Sequence, residues 1–255
     1  KRAGKVADWW EATREGLIEA KDWSLELTAA VPGTALWNEM KENARLSSVG
    51  DVGGMRIVSK HVAAALKGLS PAELKKWELH VVGHSAGAIF AAHAMPLFCS
   101  TGTDFKTFQL MAPAMTVELF KKAVMPVVKK GNCPHPELFV LSDQAERDDT
   151  VGPYGKSLLY LVSNAFEGRR GTPILGMQRY VTKVGGKQDP ALDPEVEAFL
   201  DGHVIVANAG TTNYPGSGSE THGGFDNDAA TMNTVISRIL GGKPKRPFTS
   251  RDLQY

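Results

Sequence analysis

The chain has 255 residues, of which 42% are hydrophobic and 22% charged, and a formal net charge of +1. That composition fits one large domain, or a domain with a cap, able to bury a sizeable core. It excludes a disordered or highly charged chain, and the balanced charge argues against nucleic acid or a membrane surface as a partner. No run of ~18 apolar residues is present, so no membrane-spanning helix is expected. The basic start, Lys1 to Lys5, is not followed by an apolar signal core, which makes the cytoplasm the expected compartment. Cys99 and Cys133 are too few for a disulfide framework; one bridge is open to them, but two free thiols packed as small apolar groups is the favoured reading.

Residues 1–48 read as a helical cap or linker. Trp9, Trp10, Leu17 and Ile18 form an apolar stripe at helical spacing, with Glu11, Arg14, Glu15 and Lys21 around it. Pro32 and Gly33 are expected to break the chain before a second helix through Ala35 to Met40. Gly50, Gly53 and Gly54 break it again, and a third helix carries Met55, Ile57, Val58, Val62 and Leu66. Ser70-Pro71-Ala72-Glu73 is a helix-start signal. Trp9, Trp10 and Trp37 have two readings, lining of an acyl pocket or ordinary packing onto the core, and the second is favoured.

Residues 49–245 form the second region, and from Trp77 onward its texture changes. Strand patterns fall at Glu78 to Val82, Phe105 to Met111, Leu138 to Leu141 and His203 to Ala207, with a weaker one near Tyr180-Val181. Helical patterns lie between them at Ala88 to Leu97, Val117 to Val128 and Ser157 to Phe166, and a final helix runs from Asp228 to Leu240. Strands alternating with helices predict an α/β fold, a parallel sheet with helices on both faces. Residues 246–255 are a tail.

Gly83-His84-Ser85-Ala86-Gly87 sits where a strand turns into a helix. A G-x-S-x-G sequence in that context places the serine on a sharp bend, its hydroxyl projecting above the sheet. Glycines at 83 and 87 are expected to relieve crowding between strand and helix. The N–H of Ala86, at the helix start, becomes a donor for a developing oxyanion. His84 reads as a residue that shapes the bend. A serine hydroxyl needs a neighbouring base. Of seven histidines, His222 stands in a Gly/Ser-rich loop between the last strand and the last helix, while His61, His80, His93, His135 and His203 read as structural or surface residues. An acid is needed to orient the imidazole, and the segment after the strand ending at Leu141 offers Asp143, Glu146, Asp148 and Asp149. Asp149 is favoured, four residues before Pro153; Asp143 follows, then Asp148 and Glu146.

These features resemble the α/β-hydrolase superfamily, in its serine esterase and lipase-like branch. The resemblance spans about residues 52–241 and rests on the GHSAG segment, the acid-rich loop, the His222 loop and Leu110-Met111-Ala112-Pro113-Ala114. It implies a catalytic triad of Ser85, Asp149 and His222 that hydrolyses a small-molecule carboxylic ester, with no cofactor and no metal. An acyltransferase or thioesterase would use the same triad, and a non-catalytic hydrolase-like scaffold is the reading from another class. The sequence departs from the family before Ser85: the early strands are missing, and so is the His-Gly loop that usually carries a second oxyanion donor. A complementing N-terminal segment or a second chain is therefore an expected partner, to cover an open sheet edge.

Overall fold

The computed structural model describes the backbone of residues 2–212 and 214–254, with side chains from residue 18 onward in that range. Four parallel strands, β1 (Leu79–His84), β2 (Phe105–Met111), β3 (Pro136–Val140) and β4 (Val204–Val206), lie in the order β1-β2-β3-β4. Phe108, Leu110, Leu138, Phe139 and Val140 are fully buried. That is the signature of strands covered on both faces, where an unbroken apolar run is favoured over strict alternation. Helix α4 (Gly87–Ser100) covers the face that carries Gly83 and Leu110. The last helix (Ala229–Leu240) covers the other face, where the Gln109 amide donates to the Val235 carbonyl at 3.3 Å.

β1 pairs only with β2, so among the described strands it is an edge, and Val82 is 41% exposed. The expected strand near Tyr180-Val181 is absent: Gln178–Tyr180 form a 3₁₀ turn that buries Tyr180. The segment expected as one helix over 117–128 is a helical run of α5 (Val117–Leu119), a π-helical turn at Phe120–Val124 and α6 (Met125–Lys129). Two short helices escaped the periodicity reading. The first, α7 (Asp143–Asp148), starts in the acid-rich loop under a Ser142 cap. It is followed by α8 (Leu158–Leu161); the second, α9 (Pro194–Phe199), is capped by Asp193 and precedes β4.

Before the sheet come α1 (Arg2–Leu46), α2 (Gly54–Lys67) and α3 (Pro71–Leu74), the last opened by a Ser70/Glu73 capping box. The expected break at Pro32-Gly33 does not occur, because α1 runs through it. A proline removes one intrahelical hydrogen bond, and long-range contacts offset the loss. A Cβ on Gly33 would lie 2.1 Å from Cε1 of Phe166, so Gly33 is the close-approach point of an aromatic ring. Thr34 donates to the Ala165 carbonyl at 3.0 Å. Trp37 donates through Nε1 to Glu167 at 2.7 Å and lies 6.4 Å from the Phe166 ring, which is packing onto the body. The side chains of Trp9, Trp10 and Leu17 lie outside the described ones. Further along α1, Asp22 and Glu26 are buried. Glu26 accepts from Tyr154 Oη at 2.7 Å, Asn164 Nδ2 at 2.8 Å and Arg170 Nε at 3.0 Å, while Asp22 accepts the Gly155 N–H at 3.0 Å. α1 is thus held by polar anchors together with Leu25, Trp37, Met40 and Ala44, which pack against the core.

The two cysteines are joined: Cys99 at the end of α4 and Cys133 before β3 form a disulfide with Cα atoms 6.0 Å apart. This corrects the free-thiol reading. α4 and β3 bring both residues to the same end of the sheet, within bridging range. The tail is also packed, as Asn233 bonds both the carbonyl and the N–H of Phe248. No helix among the described residues is long and apolar enough to cross a membrane.

Candidate active site

Ser85 follows β1 directly and has φ of 52°, a left-handed conformation unfavourable for a residue with a Cβ. The bend is held from three sides. The Ser85 N–H donates to the Met111 carbonyl at the end of β2 (2.9 Å). The Ser85 carbonyl accepts the Ala88 N–H (3.1 Å) and the Ala114 N–H (3.0 Å). Ala112 is left-handed as well, at φ 40°, and donates to the Phe139 carbonyl at 2.8 Å. Two left-handed residues thus stand at adjacent strand ends, and Ser85 bonds Met111 and Ala114 on either side of Ala112 and Pro113. Glycine at 83 avoids crowding, because a Cβ there would press on Leu110 and on the Gly87 backbone at 3.2–3.3 Å. A Cβ on Gly87 would meet nothing within 4 Å, so the expected steric need for glycine there is not found.

The loop after β4 carries His222 to this bend. His222 opens a 3₁₀ turn, His222–Gly224, is 7% exposed, and places Nε2 2.8 Å from Ser85 Oγ. Burial, then the nearby His84, push the His222 imidazole down to about 4, while Asp149 pulls it up. A neutral imidazole at that distance can accept the hydroxyl proton. His84 Nε2 lies 2.9 Å from the His222 carbonyl, and the two rings are 5.6 Å apart. Sequence reasoning assigned His84 to the bend alone and missed this tie across 138 residues.

The four candidate acids separate clearly. α7 ends at Asp148, and Asp149, its extended C-terminal residue, turns toward the His222 loop. Asp149 Oδ2 accepts the His222 main-chain N–H at 2.8 Å, and its Oδ1 accepts the Thr150 N–H at 2.8 Å. His222 Nδ1 is buried with no hydrogen-bond partner. Asp143 is engaged by Arg147 and Tyr160, and exposed Asp148 by Gln144. Glu146 is fully buried against Ser157, and burial pushes its carboxyl up to about 8. Ser85, His222 and Asp149 are thus brought together, while Asp143, Asp148 and Glu146 are committed elsewhere.

The N–H of Ala86 lies at the N-terminal end of α4 and makes no backbone hydrogen bond among the described residues, so it is available to an anionic oxygen beside Ser85. No described group of three or more His, Cys, Asp or Glu side chains is placed to hold a metal ion. Compared with known proteins, the chain matches no family model, no curated protein and no solved structure.

Proposed function

We propose that the protein is a serine hydrolase of the α/β-hydrolase type that cleaves carboxylic esters through an acyl-enzyme on Ser85. The observation that carries this reading is the 2.8 Å contact between Ser85 Oγ and His222 Nε2 at a serine held in a left-handed bend. Strained backbone at a reactive side chain is a common mark of a site built for chemistry. In the proposed reaction Ser85 Oγ attacks the ester carbonyl as His222 Nε2 takes its proton. The oxyanion is held by the Ala86 N–H. His222 returns the proton to the departing alkoxide, leaving the acyl group on Ser85 and a neutral alcohol. Water, deprotonated by His222, then releases the acid and restores Ser85. Asp149 holds the His222 main chain and supplies a negative charge that favours the imidazolium.

The same acyl-enzyme would serve an acyltransferase or a thioesterase, with another nucleophile in place of water or a thiolate leaving group. The exposed edge of β1 supports a complementing segment or chain as partner, because an unpaired parallel edge with apolar Val82 at the surface invites strand addition. The Cys99–Cys133 bridge favours an oxidising compartment over the cytoplasm.

The test is hydrolysis of p-nitrophenyl esters of graded acyl length by the protein and its Ser85→Ala variant, with fluorophosphonate labelling alongside. Turnover and labelling that both vanish in the variant are expected. A protein that neither labels nor turns over any ester would instead be a hydrolase-like scaffold.

A further inference from the structure

The His222 ring is engaged from one side alone: Nε2 meets Ser85 Oγ at 2.8 Å, while buried Nδ1 has no hydrogen-bond partner among the described residues. Where an acid bonds the second ring nitrogen, that bond orients the imidazole. Here the ring takes its place from its main chain and its packing. The main chain is gripped on both sides of the residue. The His222 N–H donates to Asp149 Oδ2 at 2.8 Å, and the His222 carbonyl lies 2.9 Å from His84 Nε2. A carbonyl only accepts, so His84 carries a proton on Nε2 and donates it. The two bonds hold the two peptide groups that flank the His222 Cα.

His84 is the last residue of β1 and stands directly before Ser85. Its ring lies edge-on to fully buried Phe225, with centroids 6.3 Å apart, and Phe225 directly follows the His222–Gly224 turn. The turn that carries His222 therefore also seats the ring that holds the His222 carbonyl. The bend itself does not use this side chain: its bonds run from the Ser85 main chain to Met111, Ala88 and Ala114. Neighbouring residues of one bend thus carry the hydroxyl and a clasp on the imidazole that meets it, so a shift of the bend takes the imidazole with it.

Resting on the hydrolase reading above, we propose that His84 is a positioning residue for that reaction, its Nε2–H bond to the His222 carbonyl keeping the imidazole on Ser85 Oγ. His84 touches no reacting atom and acts through His222.

The experiment compares wild type with His84→Phe, which keeps a ring against Phe225 and has no donor, and with His84→Gln, whose amide nitrogen can replace Nε2 as donor. His84→Met, close to glutamine in length and without a donor, stands in for His84→Phe if that variant does not fold. The readouts are the rate at which fluorophosphonate labels Ser85, kcat and KM for a p-nitrophenyl ester, and hydrogen exchange at the His222 N–H. His84→Phe is expected to lose roughly tenfold in labelling rate and in kcat, the scale of one hydrogen bond, with KM little changed and faster exchange. His84→Gln is expected to recover most of both. A merely structural role would lower Tm and the folded fraction and leave the labelling rate of folded protein at the wild-type value, which overturns the proposal. A His84→Gln protein as slow as His84→Phe also overturns it. Wild type that takes no label and turns over no ester overturns the hydrolase reading, and exchange then decides the clasp by itself. Exchange that quickens in His84→Phe and is restored in His84→Gln upholds the grip on His222; equal exchange in all three overturns it. Label on Ser85 at one rate in all three proteins leaves the hydrolase reading standing and overturns this one.

Discussion

Asp149 meets His222 at the main chain rather than at the ring: its Oδ2 accepts the His222 N–H at 2.8 Å, while the buried Nδ1 has no hydrogen-bond partner. In the proposed reaction Asp149 would therefore act on His222 by holding its loop and by its charge. Asparagine can keep one of the two main-chain N–H acceptors and loses the charge that pulls the imidazole up. Asp149→Asn is expected to lower kcat by roughly 10²–10⁴-fold with little loss of Tm, and Asp149→Ala to lower both. Steady-state kinetics and thermal melts of the two variants check this; equal kcat in Asp149→Asn and wild type would remove Asp149 from the mechanism.

The imidazole of His222, pushed down to about 4, is neutral throughout the physiological range. The acid limb of kcat/KM is expected near pH 4 rather than near the ordinary histidine value. The same shift acts on stability. The unfolded chain takes up a proton at about 6.5 and the fold only at about 4, so stability present above the unfolded value is lost as pH falls through that window, by about 3 kcal/mol. Urea unfolding at pH 7 and pH 4.5 is expected to show a steeper loss in wild type than in His222→Asn.

Glu146 acts in the opposite sense. Its buried carboxyl, pushed up to about 8 by burial and then by Asp149 and Asp143, against the opposing hydrogen bond from Ser157, stays protonated in the fold while the unfolded chain ionises near 4.5. The unfolded state thus holds fewer protons between those values, and stability falls as pH rises from 4.5 to 8. Glu146→Gln, which keeps a neutral partner for Ser157, is expected to be more stable than wild type at pH 8, by on the order of 2–5 kcal/mol. The gain should shrink toward pH 4.5. A variant less stable than wild type at pH 8 would mean that the carboxyl is ionised in the fold.

The Cys99–Cys133 bridge closes a loop of 34 residues between α4 and β3. Chain-entropy arithmetic for that loop gives about 4 kcal/mol. For a chain of this size that corresponds to a drop in Tm of roughly 10 °C on reduction. Calorimetry with and without reductant, and of the Cys99→Ser/Cys133→Ser variant, checks the value.

Sequence alone determined the parts whose signals are local. The parallel α/β layout followed from apolar runs such as Phe105 to Met111, which coincides with β2. The position of Ser85 between a strand and a helix followed from the GHSAG segment, and that of His222 from its Gly/Ser-rich surroundings. In each case the deciding residues lie within a turn or a strand of one another. Tertiary structure decided what depends on distance across the chain. It placed Asp149, among four neighbouring carboxylates, on the His222 main-chain N–H because α7 ends at Asp148, and it tied His84 to the His222 carbonyl. It carried α1 through Pro32 because Phe166 packs on Gly33 and Thr34 bonds Ala165, and it joined two cysteines that composition favoured as free. Propensity and pattern sum over neighbours in sequence, whereas a hydrogen bond, a ring contact or a disulfide is settled at a few ångströms between groups that the fold alone brings together.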